Sequence, residues 1–152
     1  MTERVTTSDG LVVVPPDGGE AFASLDVVRK TTAVESGGWG VVVVTGYPGE
    51  GGRTHIHDGE AEAFFILEGT VDLLGRESVT RLETGAFVLV PPGVEHGLRM
   101  VGDGVARWLA IWPSKLDGFP EAVEAAEAAG IGPTEMTGLG RRHGVLPGRR
   151  RT

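Results

Sequence analysis

Four side chains near the middle of the chain have the residue types and the spacing of a metal site. His55 and His57 are separated by one residue, and alternate residues of a β-strand point to the same side. Glu62 opens the next apolar run, where a carboxylate needs a compensating charge, and His96 follows a Pro-Gly pair. Three imidazoles and one carboxylate suit one divalent transition metal (Fe, Ni, Mn, Co, Cu or Zn) better than Ca or Mg.

The coordination positions of the ion that the protein leaves free determine which chemistry such a site can perform. Four protein ligands around an octahedral ion leave two positions for water, substrate or O2, and open positions distinguish a catalytic metal from a structural one. Glu62 is also the candidate catalytic residue, because a carboxylate beside a metal can accept a substrate proton. By strand alternation, the neighbouring Glu60 and Glu95 are expected to face solvent.

Residues with the strand parity of a ligand would face the same side as that ligand. The predicted substrate pocket consists of Phe64, Ile66, Leu98, Met100, Trp108, Tyr47 and Arg53. The first five are apolar and suit a cavity wall, although plain packing in the core is the more common role for any one aromatic side chain. The last two flank the histidine pair and would offer polar contacts.

The elements that must position these residues are short strands between turns. The chain contains 25 glycines and nine prolines, and about ten apolar runs of strand length lie between them. The predicted strands are 11–14, 25–28, 40–45, 54–57, 62–67, 70–74, 79–82, 86–90, 95–101 and 105–112. Glu68-Gly69 is predicted to form a tight hairpin, and Pro92-Gly93 a type II turn.

Helical patterns are confined to the C-terminal part of the chain. A helix is predicted over 120–129, with a proline in its first turn and a glycine after its end. A second, weaker helix is predicted over 134–143, where Gly138 and Gly140 count against it. We therefore expect one all-β domain over 1–152, with a barrel core over about 25–113 and a helical segment and basic tail over 114–152.

Composition narrows the classes of function. The net charge is −7, and an acidic body argues against nucleic-acid binding. Five arginines lie in the last twelve residues and are expected to form a solvated, partly frayed terminus. The chain has no cysteine, which excludes disulfides, thiol nucleophiles and zinc fingers. No apolar run is long enough for a membrane span and the N-terminus is polar, so a cytoplasmic protein is expected.

Two stretches of the sequence resemble the conserved motifs of the cupin family. The first runs from Gly49 through His55, His57 and Glu62 to Gly69, and the second from Gly85 to His96. The asparagine that often ends the second motif is replaced by Met100, but that position is not a metal ligand in the family. The resemblance implies a double-stranded β-helix (a jelly-roll barrel), a metal bound by the four residues, and a homodimer.

Residues 58–69 and the C-terminal helical segment also resemble the single-domain quercetin dioxygenase-like group. That resemblance implies an oxygenase acting on an enolisable or phenolic small molecule. Two alternatives stay open: a non-redox cyclase or isomerase of a polyketide-like or sugar-like substrate, and a module that binds or senses a small molecule without turnover. All three imply a small-molecule partner, and only the first requires O2.

Overall fold

A computed structural model describes residues 3–150, which form two large antiparallel sheets, a small two-stranded sheet and three α-helices. The strands are β1 Val5–Thr6, β2 Val12–Val13, β3 Glu20–Phe22, β4 Val27–Thr31, β5 Trp39–Gly46, β6 His55–His57, β7 Glu62–Glu68, β8 Val71–Gly75, β9 Val79–Leu82, β10 Phe87–Val90, β11 His96–Met100, β12 Ala106–Pro113 and β13 Val145–Pro147. The helices are α1 Ala33–Ser36, α2 Phe119–Ala128 and α3 Pro133–Arg142. A small β1–β2 hairpin precedes the sheets.

The chain crosses repeatedly between the two sheets. One sheet has the order β10-β7-β12-β5-β4-β3, and the other has the order β13-β6-β11-β8-β9. From β5 to β12, β8 and β9 are the one pair of consecutive strands that belong to the same sheet. Every other connection in this stretch carries the chain to the opposite sheet. This winding confirms the predicted double-stranded β-helix with short C-terminal helices.

The space between the sheets is filled by alternate side chains of the strands. On β7, Phe64 and Ile66 are buried, whereas Phe65 and Leu67 are about two-fifths exposed on the outer face. Ile66 packs with Val71 of the opposite sheet and with other apolar side chains of the barrel. The period-two pattern in the sequence thus correctly separates the inner from the outer face of this strand.

The connection between β7 and β8 differs from the predicted hairpin. These two strands lie in different sheets and do not pair with each other. Gly69 turns the chain at this corner with a left-handed φ of +80°, and a Cβ there would lie 2.7 Å from the carbonyl oxygen of Val105. The turn was therefore predicted at the correct residues, but it connects two strands of different sheets and not two paired strands.

The C-terminal helices cover one side of the barrel. Val123 and Ala126 of α2 pack against Leu139 of α3, with Leu25 beside them. The helix α3 begins at Pro133 and continues to Arg142 despite its two glycines. It leads into β13, which pairs with β6 and which the sequence pattern did not indicate.

The end of the described chain is hydrogen-bonded to the barrel. The backbone N–H groups of Arg149 and Arg150 donate to the Glu95 carboxylate, which corrects the expectation for these two arginines. Arg151 lies outside the described residues. Among residues 3–150, none of the helices is both long and apolar enough to cross a membrane.

We expect the substitution Gly69→Ala to lower the free energy of unfolding by about 2 kcal/mol, because it adds a Cβ against backbone atoms at a left-handed φ. The matched control is Gly104→Ala, where a Cβ would meet no atom within 4 Å. Urea unfolding monitored by tryptophan fluorescence measures both. Equal midpoints for the two variants would contradict this account of the corner.

Candidate metal centre

The strand β6 brings two imidazoles to one side of the barrel. His55 and His57 are its first and last residues, and their Nε2 atoms lie 3.2 Å apart. His57 is buried, with 5% of its surface exposed, and His55 is partly buried. The alternation predicted from the His-x-His spacing therefore holds.

The carboxylate comes from the opposite sheet. Glu62 is the first residue of β7, and its side chain is only 4% exposed. Its Oε2 atom lies 2.7 Å from Nε2 of His57 and 2.9 Å from Nε2 of His96. A carboxylate at the start of an apolar strand is thus buried against two imidazoles, as its position in the sequence required.

The third imidazole is positioned by a tight turn. The N–H of Val94 donates to the carbonyl of Pro91 at 3.2 Å, and Gly93 has a φ of +77°, as expected for the predicted Pro-Gly turn. His96 then begins β11, and its Nδ1–H donates to the carbonyl of Val94 at 2.9 Å. This bond leaves the Nε2 lone pair of neutral His96 pointing towards Glu62.

Ionisable side chains in this cluster shift the pKa values of their neighbours. Burial alone would raise the pKa of the Glu62 carboxyl, but hydrogen bonds from His57 and His96 hold that pKa at about 2. Burial, reinforced by the charges of His96 and His57, lowers the pKa of His55 to about 4. Burial also opposes protonation of His96, yet the Glu62 carboxylate raises its pKa. The cluster therefore favours positive charge next to Glu62 and disfavours a charged His55.

These donor atoms fit one divalent ion. Each of the four residues offers one ligand atom, and the four atoms lie within 4.8 Å of one another. Ligand atoms about 2.1 Å from a common ion and at right angles lie about 3 Å apart, and three of the pairwise separations in the cluster are 2.7, 2.9 and 3.2 Å. Nε2 of neutral His96 and the carboxylate oxygen of ionised Glu62 are both acceptors and would repel each other at this distance. A proton or a cation between them removes this repulsion.

The ligand cluster opens onto a large cavity. Its volume is about 940 Å3, at the upper end of the range of about 300–1,000 Å3 usual for small-molecule sites. The structure brings five of the seven predicted pocket residues to its wall, namely Arg53, Phe64, Leu98, Met100 and Trp108. The wall is mainly apolar, as the sequence predicted.

Two predicted pocket residues do not line this cavity. Ile66 is fully buried and packs in the core of the barrel. Strand alternation determines on which side of the sheet a side chain lies, but not how far along the barrel it lies. Tyr47 lies in the loop after β5 with 45% of its surface exposed. Tyr47 is thus not part of the cavity wall, and its polar contact with a substrate stays a prediction.

The sequence analysis missed the part of the wall that the C-terminal segment supplies. These residues come from the turn after β12, from α2, α3 and β13, and from the turns between them, and include Leu116, Phe119, Ile131, Met136, Thr137, Gly140, Val145, Leu146 and Pro147. Trp112 of β12 also lines the cavity. The apolar face of α2 was visible in the sequence, but no local pattern showed that the segment lines the cavity.

The two carboxylates expected to face solvent both accept hydrogen bonds from other parts of the protein. Glu60 accepts hydrogen bonds from the backbone and hydroxyl of Ser114 and from the backbone N–H of Lys115. Glu95 is only 8% exposed and accepts from Thr54 at 2.6 Å. The alternation argument is wrong for Glu95, which lies just before β11, where strand parity does not apply, whereas Glu60 stays partly exposed.

Fold and site together define a double-stranded β-helix protein with an internal cluster that could hold one metal ion. A family model described as a cupin domain matches residues 42–112. Protein SchB of Streptomyces halstedii is 33% identical over 110 residues, which make up 70% of this chain and 77% of that protein. The chain belongs to the cupin superfamily.

Solved structures agree with this assignment at the level of the fold. A predicted oxalate decarboxylase of Thermotoga maritima has 18% identity and a TM-score of 0.53, covering 57% of this chain and 77% of that one. The polyketide cyclase RemF of Streptomyces resistomycificus also has 18% identity, with a TM-score of 0.51, over 59% of this chain and 66% of that one. Membership of the quercetin dioxygenase-like group and the homodimer stay predictions.

We expect Glu62→Gln to weaken Co2+ binding by at least about 100-fold, because it removes the only anionic ligand from the buried cluster. His143→Asn is the control, since His143 donates to the carbonyl of Lys115 and is not part of the cluster. Competition with a chromophoric chelator at pH 7.5 gives both dissociation constants. Equal affinities for the two variants would contradict the assignment of Glu62 as a ligand.

Proposed function

We propose that this protein is a metal-dependent enzyme that oxidises an enolisable or phenolic organic molecule with O2. The observation that carries the proposal is that a four-ligand cluster lies on the wall of a large, mainly apolar cavity. A structural ion needs no such cavity, whereas an enzyme that must desolvate an organic substrate beside an ion does.

The apolar wall suits a flat substrate with few charges. Phe64 lies beside the cluster, with its ring centroid 5.9 Å from that of His96, and Trp108 and Met100 line the same cavity. These side chains would bury the rings of an aromatic substrate and exclude water from the cluster. The cavity is large enough for a compound of several fused or linked rings.

The polar chemistry would be carried by Glu62 and the three imidazoles. His55, His57 and His96 would bind a divalent ion, which would supply Lewis acidity to a coordinated enol or phenol oxygen. Glu62 is the nearest base and would accept the hydroxyl proton of the substrate through its carboxylate oxygen. The deprotonated substrate, now electron-rich at the adjacent carbon, is the species that would react with O2.

A second function, non-redox cyclisation or isomerisation, is favoured by the shape of the cavity. Its wall extends from the ligand cluster to α3, so an elongated polyketone would have room to fold beside the ion. RemF, which has the same fold, is a polyketide cyclase. Such a reaction would use the same ligands and the same base, but it would need neither O2 nor a redox-active metal.

The decisive measurement is turnover of a panel of flavonols, other enolisable aromatics and linear polyketones, with and without O2. We expect O2 uptake and an oxygenated product, identified by mass spectrometry, with Fe, Mn, Co, Ni or Cu but not with Zn. Glu62→Gln is expected to lower kcat by about 100-fold or more, and His143→Asn should leave it unchanged.

Each remaining outcome identifies another function. Product formation under argon and with Zn would replace the oxygenase by the cyclase or isomerase. Saturable, stoichiometric binding without any product across the whole panel would indicate a binding or sensor protein.

A further inference from the structure

The strand that carries two of the four ligands is held mainly by the C-terminal end of the chain. β6 has only three residues. Against β11 of the barrel it has a single paired position, His96 with His55. Against β13 it has three, pairing Val145 with His57, Leu146 with Ile56, and Pro147 with His55. A three-residue strand paired at one position would fray, so β13 is the larger restraint on the two imidazoles.

Further hydrogen bonds fix both ends of this pairing. On one side, the N–H of Asp58 donates to the carbonyl of Gly144 at 2.8 Å. On the other, the N–H of Gly148 donates to the carbonyl of Thr54 at 2.9 Å. The barrel contributes as well, since the N–H of Gly93 donates to the carbonyl of His57 at 3.0 Å. We call residues 145–150 the C-terminal strap.

One buried carboxylate fastens the strap. Oε1 of Glu95 accepts hydrogen bonds from the Thr54 hydroxyl at 2.6 Å and from the N–H groups of Arg149 and Arg150 at 2.7 and 2.6 Å. Thr54 immediately precedes His55, and Glu95 immediately precedes His96. A single oxygen therefore ties the strap to the segments that lead into both ligand strands, and bonds of this charge-assisted kind are strong.

The fit between strap and barrel leaves no room for a side chain at its centre. A Cβ on Gly148 would lie 2.6 Å from the Thr54 carbonyl oxygen and 2.7 Å from Oε1 of Glu95. Beyond it, the Arg150 guanidinium donates to the carbonyls of Gly75 and Ser78 at 2.8 and 3.0 Å. The strap thus crosses from β6 to the β8–β9 connection.

We propose that the C-terminal strap, fastened by Glu95, positions His55 and His57 for the metal ion, and that Glu95 is a positioning residue of the metal site. The proposal rests on the proposed metal site and not on any particular reaction. Ligands held in place before an ion arrives bind it more tightly than ligands that the ion must order. Loosening the strap would therefore weaken metal binding although none of the four ligands is changed.

Two variants loosen the strap by unrelated means. Glu95→Ala removes the acceptor, and Gly148→Ala forces the strap away from Thr54 without changing any residue next to a ligand in the sequence. Their matched controls are Glu83→Ala, at an exposed position in the β9–β10 connection, and Gly104→Ala, at an open position. Glu95→Gln keeps a carbonyl oxygen as acceptor. Its amide exchange rates and its Co2+ affinity should therefore lie between those of Glu95→Ala and those of the wild-type protein.

Two readouts on the full-length protein separate positioning from general stability. In the metal-free protein, we expect amide hydrogen exchange over 54–58 and 145–150 to accelerate at least about tenfold in both strap variants, with β7 and β12 unchanged. We expect the Co2+ dissociation constant, measured by chelator competition, to rise at least about tenfold in both. The controls should change neither quantity.

The possible results distinguish the proposals. Faster exchange of the strap with unchanged Co2+ affinity would overturn the positioning role and leave the strap a purely structural element. Unchanged exchange in Glu95→Ala would show that Glu95 does not fasten the strap. A wild-type protein that binds no Co2+ would refute the metal site and the proposed function, while the exchange rates would still decide whether the strap holds β6.

Discussion

The buried carboxylate of Glu62, facing the Nε2 atoms of His57 and His96, is the contact on which the rest of the site depends. It joins the two sheets, since β7 belongs to one and the ligand strands β6 and β11 belong to the other. A carboxylate removed from water is costly unless positive charge lies beside it. A divalent ion meets that need without requiring protonated imidazoles, and the crossing topology of the barrel brings the donor atoms together.

The barrel and the C-terminal segment make different contributions to this site. The barrel supplies all four ligands and the inner aromatic wall. The segment after β12 supplies the rest of the cavity wall and the strand that pairs with β6 along its whole length. The C-terminal segment therefore contributes both to the cavity wall and to the restraint of the strand that carries His55 and His57.

Much of the fold followed from local patterns, and the failures have definite physical causes. Alternation correctly predicted the strand of His55 and His57 and the inward face of Phe64, because strand parity is a property of the backbone itself. It could not give the depth of Ile66 in the barrel, and it failed for Glu95, which lies outside any strand. The Gly69 turn was recognised, but whether a turn joins paired strands or crosses between sheets is decided by contacts with distant residues such as Val105.

The sequence by itself determined the four candidate ligands, the strands that carry them and the superfamily, because all three depend on residue types at short, fixed spacings. Only the tertiary structure decided that the four candidate ligand atoms lie within 4.8 Å of one another, that the C-terminal segment lines the cavity, and that the strap is hydrogen-bonded to Glu95. These features are contacts between residues distant in the chain, such as Thr54 and Gly148. A strand of three residues like β13 is too short to show a periodicity, so its place was fixed only by the partners it meets in the folded chain.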